Sequence, residues 1–122
     1  MITLKNLSSI DDLSQVVKEH GEEKLCVLVF SGATCTPCKI LKMKIERAFE
    51  VKYPNVAFFY ILIEDNGQIL NEPEFNDIKQ VPTIRFARIL KTSMTKVFQL
   101  SDEVLLGADE KKLDDTIKRL SV

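Results

Sequence analysis

Apolar residues along the chain switch between two periods. Over Ser8–His20 they recur as Ile10, Leu13, Val16 and Val17, the three-and-four spacing of a helix with one buried stripe. Ser8 or Ser9 can cap that helix, Asp11 or Asp12 follows three residues on, and Gly21 stops it. Leu25–Phe30 is a near-continuous run of β-branched, aliphatic and aromatic residues, the pattern of a strand buried on both faces. A second helix is predicted from about Cys35 to Val51, with Ile40, Leu41, Met43, Ile45, Ala48 and Phe49 as its apolar set. Val56–Ile63 reads as the next strand, and Glu64-Asp65-Asn66-Gly67 as a turn.

A short helix beginning near Pro73 is expected to bury Phe75 and Ile78. Thr83 to about Ile89 and Lys96–Leu100 then read as a hairpin with a polar turn near Lys91-Thr92-Ser93. Gly107 precedes a closing helix with Asp109 and Glu110 in its first turn and Lys118 and Arg119 in its last, which suits the helix dipole. Leu113, Ile117 and Leu120 form its inner face. With an edge strand over Ile2–Leu4, a βαβ half is followed by a ββα half. That order implies an α/β fold: a central mixed sheet of four to five strands flanked by helices on both faces.

Length limits the chain to one core, so residues 1–122 are expected to form a single domain. Seventeen Lys and Arg stand against eighteen Asp and Glu, a net charge of -1. Without a basic excess there is nothing to attract nucleic acid or an anionic membrane surface. The longest apolar runs are strand-sized and too short to span a bilayer. The opening residues Met1–Asn6 lack the basic, apolar and small-residue zones of a secretory signal, so a cytoplasmic location is expected. Three cysteines are too few for a disulfide framework, and a close pair in a reducing compartment is catalytic or metal-binding.

Cys35-Thr36-Pro37-Cys38 directly follows a buried strand and opens a helix. Two intervening residues at a helix start bring both sulfurs onto one turn, within disulfide reach. Cys35 there faces unsatisfied N–H groups and the positive end of the dipole, which favour the nucleophilic thiolate. Pro37 fits the first turn because its missing N–H has no partner there anyway. Cys38, one turn in, is placed to resolve a mixed disulfide on Cys35. Lys39 adds a nearby positive charge. The same pair could be half of a zinc site, but zinc takes four ligands. The remaining candidates, mid-strand Cys26 and helix-end His20, match no zinc spacing, and no metal is expected.

The segment Phe30–Lys39, together with Val81-Pro82-Thr83 and Gly107 before a last helix, resembles the thioredoxin family over nearly the whole chain. The resemblance implies the thioredoxin fold and a thiol–disulfide oxidoreductase with Cys35 as nucleophile and Cys38 as resolving thiol. It implies an active-site loop that includes Thr34, Thr36, Pro37 and Lys39. Val81, Pro82, Thr83 and Gly107 would line the groove that receives an extended client, with Pro82 in the cis form. No bound cofactor is implied, because the electrons reside on a redox-active Cys35–Cys38 disulfide. The implied partners are disulfide-containing client proteins and an external reductase or thiol donor, with no nucleic acid and no membrane, and the chain is expected to be a monomer. The alternative is a binding module that docks a partner through the Val81-Pro82 groove, its redox capacity incidental.

Several positions depart from the family pattern. Val29 stands where the family carries a buried aspartate, and the lysine of the following strand is missing from Val56–Ile63. Ser31 and Thr34 replace two tryptophans, Thr36 a glycine, and Met43 a helix-kinking proline. The stretch from Pro82 to Gly107 is several residues longer than usual. Loss of a buried carboxylate favours thiolates, so the reduction potential is expected to lie above that of an ordinary thioredoxin.

Overall fold

Leu25–Ser31 (β2), buried along its whole length, forms the middle of a five-stranded sheet in the computed structural model, which describes residues 1–21 and 23–121. Val56–Leu62 (β3) runs parallel to β2 and carries the short Ile2–Leu4 (β1) parallel on its outer side. On the other side of β2, Thr83–Lys91 (β4) pairs antiparallel, and Lys96–Leu106 (β5) pairs antiparallel with β4 at the edge. The strand order β1-β3-β2-β4-β5 makes a mixed sheet.

Alternate side chains of the sheet build two cores. Leu28, Phe30, Phe59 and Ile61 pack with Leu13 and Val17 of the helix Ile10–Gly21 (α1). Val27, Val29, Tyr60 and Ile84 face the other way, against Leu41 of the helix Thr36–Lys44 (α2) and Leu113 and Ile117 of a closing helix. α2 continues through a π-helical turn over Ile45–Phe49 into the short Glu50–Lys52 (α3); the closing helix is Glu110–Leu120 (α4).

Local sequence accounts for the helix starts. Ser9 Oγ accepts the Asp12 N–H at 3.2 Å, while the Asp12 carboxylate reaches back to the Ser8 hydroxyl at 2.7 Å and its N–H at 3.0 Å. The Ser8 hydroxyl is the main cause that holds the Asp12 carboxyl below its ordinary value. Asp109 caps α4 by accepting the Lys112 N–H at 3.0 Å. The buried Asn66 ties β1 to the end of β3: its amide oxygen accepts the Leu7 N–H at 2.8 Å, and its amide nitrogen donates to the Leu4 and Leu62 carbonyls at 2.9 Å.

Three expected elements differ. No helix begins near Pro73. A 3-10 helix over Gly67–Asn71 precedes it, and single i→i+3 bonds (Phe75 N–H to Glu72 O, Ile78 N–H to Phe75 O) carry the chain onward as turns. Phe75 is nevertheless fully buried, against Phe30 at 4.9 Å between ring centroids. In the second helix, Leu41, Ile45 and Phe49 are buried, whereas Ile40, Met43 and Ala48 are exposed. A strict spacing of four drifts off a 3.6-residue repeat, and the π-turn absorbs the drift with an Ile45 O to Glu50 N–H bond.

The last strand runs on past Leu100 to Leu106. Its register jumps from Arg85 opposite Val104 to Ala87 opposite Leu100, a bulge that takes in the polar Ser101-Asp102-Glu103. Those residues interrupt the alternation on which the shorter boundary rested.

α3 and α4 are joined through Asp114, whose carboxylate accepts the Tyr53 O–H at 2.5 Å and pairs with Lys52 at 2.9 Å and Lys118 at 3.0 Å. The Tyr53 hydrogen bond is the main cause holding the Asp114 carboxyl well below its usual range. Burial, then Asp114, pushes the Tyr53 phenol up to about 12. A depressed carboxyl contributes stability above its unfolded value of about 3.9, and that contribution fades as pH falls through the folded one. A raised phenol contributes below about 10 and fades as pH rises toward its folded value. Asp114→Asn keeps an acceptor and loses the charge. We expect it to cost about 1–2 kcal/mol between these limits and progressively less as pH falls below about 4 toward the folded value, measured by denaturant unfolding. A cost independent of pH would rule the network out as a titrating staple.

Candidate active site

β2 and β3 run parallel, with Ser31 opposite Leu62 as their last pair, so both chains leave the sheet at the same edge. Crevices outside the carboxyl ends of parallel strands are where α/β sheets place their chemistry. After β2 the backbone turns through a Cys35 N–H to Gly32 O bond of 3.2 Å and enters α2 with Cys35 as the N-cap. Pro37 follows within the first turn, where an N–H is not needed.

Cys35 and Cys38 form a disulfide with S–S 2.24 Å and Cα–Cα 5.3 Å. The Cys35 sulfur also serves as the helix cap, since the Cys38 N–H points to it at 3.2 Å. A thiolate at that atom would therefore meet an oriented donor and the positive end of α2. Cys38 is fully buried and Cys35 half-buried, so a large disulfide can reach only the first sulfur. Thr34, Thr36, Pro37 and Lys39 are all exposed around it.

The Val81–Pro82 segment comes from the other side of the sheet, at the start of β4. Its peptide bond is cis, and the Val81 carbonyl oxygen stands 3.8 Å from Cys35 Sγ. Val81 is half-exposed and Pro82 buried. Thr83 is only 2% exposed, and its hydroxyl donates inward to the Gln80 carbonyl at 2.7 Å. It thus braces the turn that presents Val81 and offers a client no hydroxyl. Gly107 adopts φ +86, a conformation that favours glycine, and its N–H donates to the Pro82 carbonyl at 2.9 Å. Its place beside Pro82 is a matter of backbone conformation, because a Cβ there would meet nothing within 4 Å.

Two further residues shape the site that the pattern of apolar and turn residues did not single out. The guanidinium of Arg85, 7% exposed, donates to the carbonyls of Glu74 at 3.0 Å and Ser101 at 3.1 Å and lies 5.8 Å from the Phe75 ring centre. It ties the segment leading to Val81 to the bulge of β5. Glu64, read only as part of a turn, accepts the Ala33 N–H at 2.8 Å and so reaches over the redox loop. The parallel register of β2 and β3, invisible in either segment alone, was the signal that would have placed it there.

Cys26 stays apart from this chemistry. It is fully buried in β2, and burial pushes its thiol up to about 11, leaving it protonated. His20 is exposed at the end of α1. Among the described residues no three of His, Cys, Asp and Glu gather into a metal-holding group, and no helix is long and apolar enough to cross a membrane.

No family model matches the chain. Full-length relatives do. Thioredoxin of Gallus gallus is 32% identical over 117 residues, covering 96% of this chain and 98% of the relative. Thioredoxin of Bos taurus is 35% identical over 117 residues with the same coverage. Among solved structures, Fasciola hepatica thioredoxin superposes with a TM-score of 0.69 at 25% identity over 98% of each chain. Trichomonas vaginalis thioredoxin reaches a TM-score of 0.74 at 18% identity, over 98% of this chain and 96% of its own, a likeness of fold.

Proposed function

Because the chain belongs to the thioredoxin family and is a thiol–disulfide oxidoreductase, we propose a division of labour within its site. The reduced Cys35 thiolate attacks one sulfur of a client disulfide, forming a mixed disulfide and releasing the other client sulfur as a thiolate that takes a proton from water. Cys38 then attacks Cys35 Sγ. The second client thiol leaves, and two electrons have passed from the protein to the client. What remains is the Cys35–Cys38 disulfide seen in the structure. An external reductase or thiol donor returns two electrons and two protons, so no bound cofactor is needed.

The observation that carries this reading is the asymmetry of the pair. One sulfur is accessible, caps the helix and touches the Val81 carbonyl; the other is buried beneath it. The client backbone lies along Val81 and Gly107, on a surface held in place by Pro82 and Thr83. The cycle requires reduced thiols between turnovers, which supports a reducing, cytoplasmic setting. A monomer is supported by the exposed edge strand β5, which is bulged and carries Lys96, Asp102 and Glu103, features that discourage edge-to-edge pairing. Turnover of a model protein disulfide with a thiol reductant tests the reading. We expect catalysis well above the reductant alone, and a rate equal to the reductant's would refute it.

A further inference from the structure

Glu64 lies in the turn after β3, exposed to solvent, yet its carboxylate is not free to wander. Oε2 accepts the Ala33 N–H at 2.8 Å, a bond between positions 31 residues apart. The point where a Cβ on Gly32 would stand is 3.3 Å from Val81 Cγ2, 3.6 Å from Cys35 Cβ and 3.9 Å from Glu64 Oε2. The nucleophilic cysteine, the residue beside the cis proline and a fixed anion therefore border one small volume. Among the described residues Glu64 has no ion pair.

The basic residues near the pair are held differently. Lys39 is exposed on α2 and forms no ion pair among the described residues, so its long side chain can swing clear. Lys79 is turned toward the Asn76 carbonyl at 3.4 Å. The charge hydrogen-bonded to the redox loop itself, through the Ala33 N–H, is negative.

We propose that Glu64 is a specificity-determining residue that favours client disulfides flanked by lysine or arginine and disfavours those flanked by acidic residues. The inference rests on the reading of Cys35 as nucleophile, since it concerns which client sulfur reaches that atom. A client that meets Cys35 beside Val81 presents the residues flanking its own cysteine to the volume that Glu64 Oε2 also borders. Pairs in such solvent-exposed positions change affinity by roughly twofold to fivefold, and like charges act in the opposite sense by a similar factor. The anchored geometry removes part of the ordering cost, because one partner is already positioned.

Three cyclic disulfide peptides, identical except for Lys, Ser or Glu beside the attacked cysteine, provide the test. For the wild type we expect kcat/KM to favour the Lys over the Glu peptide by roughly fivefold at low salt, and by less near 1 M salt as screening shortens to about 3 Å. Glu64→Gln, which retains an amide oxygen for Ala33, should level the two; Glu64→Asp should keep the order and Glu64→Lys reverse it. The proposal is overturned if the wild type shows no preference, or if the preference survives unchanged in Glu64→Gln and Glu64→Lys. Absence of wild-type turnover of the Ser peptide would instead strike the reading of the cysteine pair, and the inference with it.

Discussion

Cys35→Ser is expected to reduce turnover of a protein disulfide to the rate of the supplied reductant, whereas Cys38→Ser should trap the client as a stable mixed disulfide. The difference follows from where each sulfur sits. A serine hydroxyl at position 35 can neither ionise at neutral pH nor form a sulfur–sulfur bond, and buried Cys38 cannot replace it because a client cannot reach it. With Cys35 intact the first attack proceeds, favoured by the Cys38 N–H directed at its sulfur from 3.2 Å. Only the second step then lacks a nucleophile. The adduct should approach one client per chain by mass spectrometry under non-reducing conditions and disappear on adding dithiothreitol. The reverse pattern, with turnover surviving in Cys35→Ser and an adduct on Cys38, would exchange the two roles.

The residues behind that prediction were legible because they obey local rules. A buried apolar strand, a Cys-x-x-Cys and a proline within the first helical turn each impose a conformation on their own segment, and Leu25–Lys39 folds as those rules require. Val81-Pro82 gained meaning only through the resemblance, since nothing in the segment says which part of the sheet it will face. The segment over residues 67–78 misled because Pro73 suits the first turn of a helix. Phe75 was held instead by a tertiary contact, its ring against Phe30. Glu64 was hidden for a similar reason: its function depends on the register of β2 against β3, a relation between segments 31 residues apart. Arg85 is a third case. An arginine in a strand reads as a surface residue, and only the bulge opposite shows why this one is buried, with two carbonyls to receive it.

The second large effect concerns the equilibrium between disulfide and dithiol. Val29 is fully buried on the face of β2 that meets α2, flanked across the sheet by Tyr60 and Ile84 and packed in one cluster with Leu41. The thioredoxin pattern has a carboxylate at this place. Here the surroundings are apolar, so no negative charge in that position opposes a thiolate in the reduced protein. Stabilising the thiolate stabilises the reduced state and raises the potential, by about 30 mV for each tenfold in the exchange equilibrium. Equilibration against glutathione buffers, read by alkylation of Cys35 since the chain has no tryptophan to report it, should place the potential above about −270 mV. Val29→Asp should lower the potential by about 30 mV for each tenfold shift of the exchange equilibrium toward the disulfide, while costing about 3 kcal/mol or more in stability for an uncompensated buried charge. Val29→Asn separates the two effects, because it adds polarity without charge: stability should fall and the potential should stay where it was. A wild-type potential at or below about −270 mV would show that the apolar face beneath α2 does not set the balance.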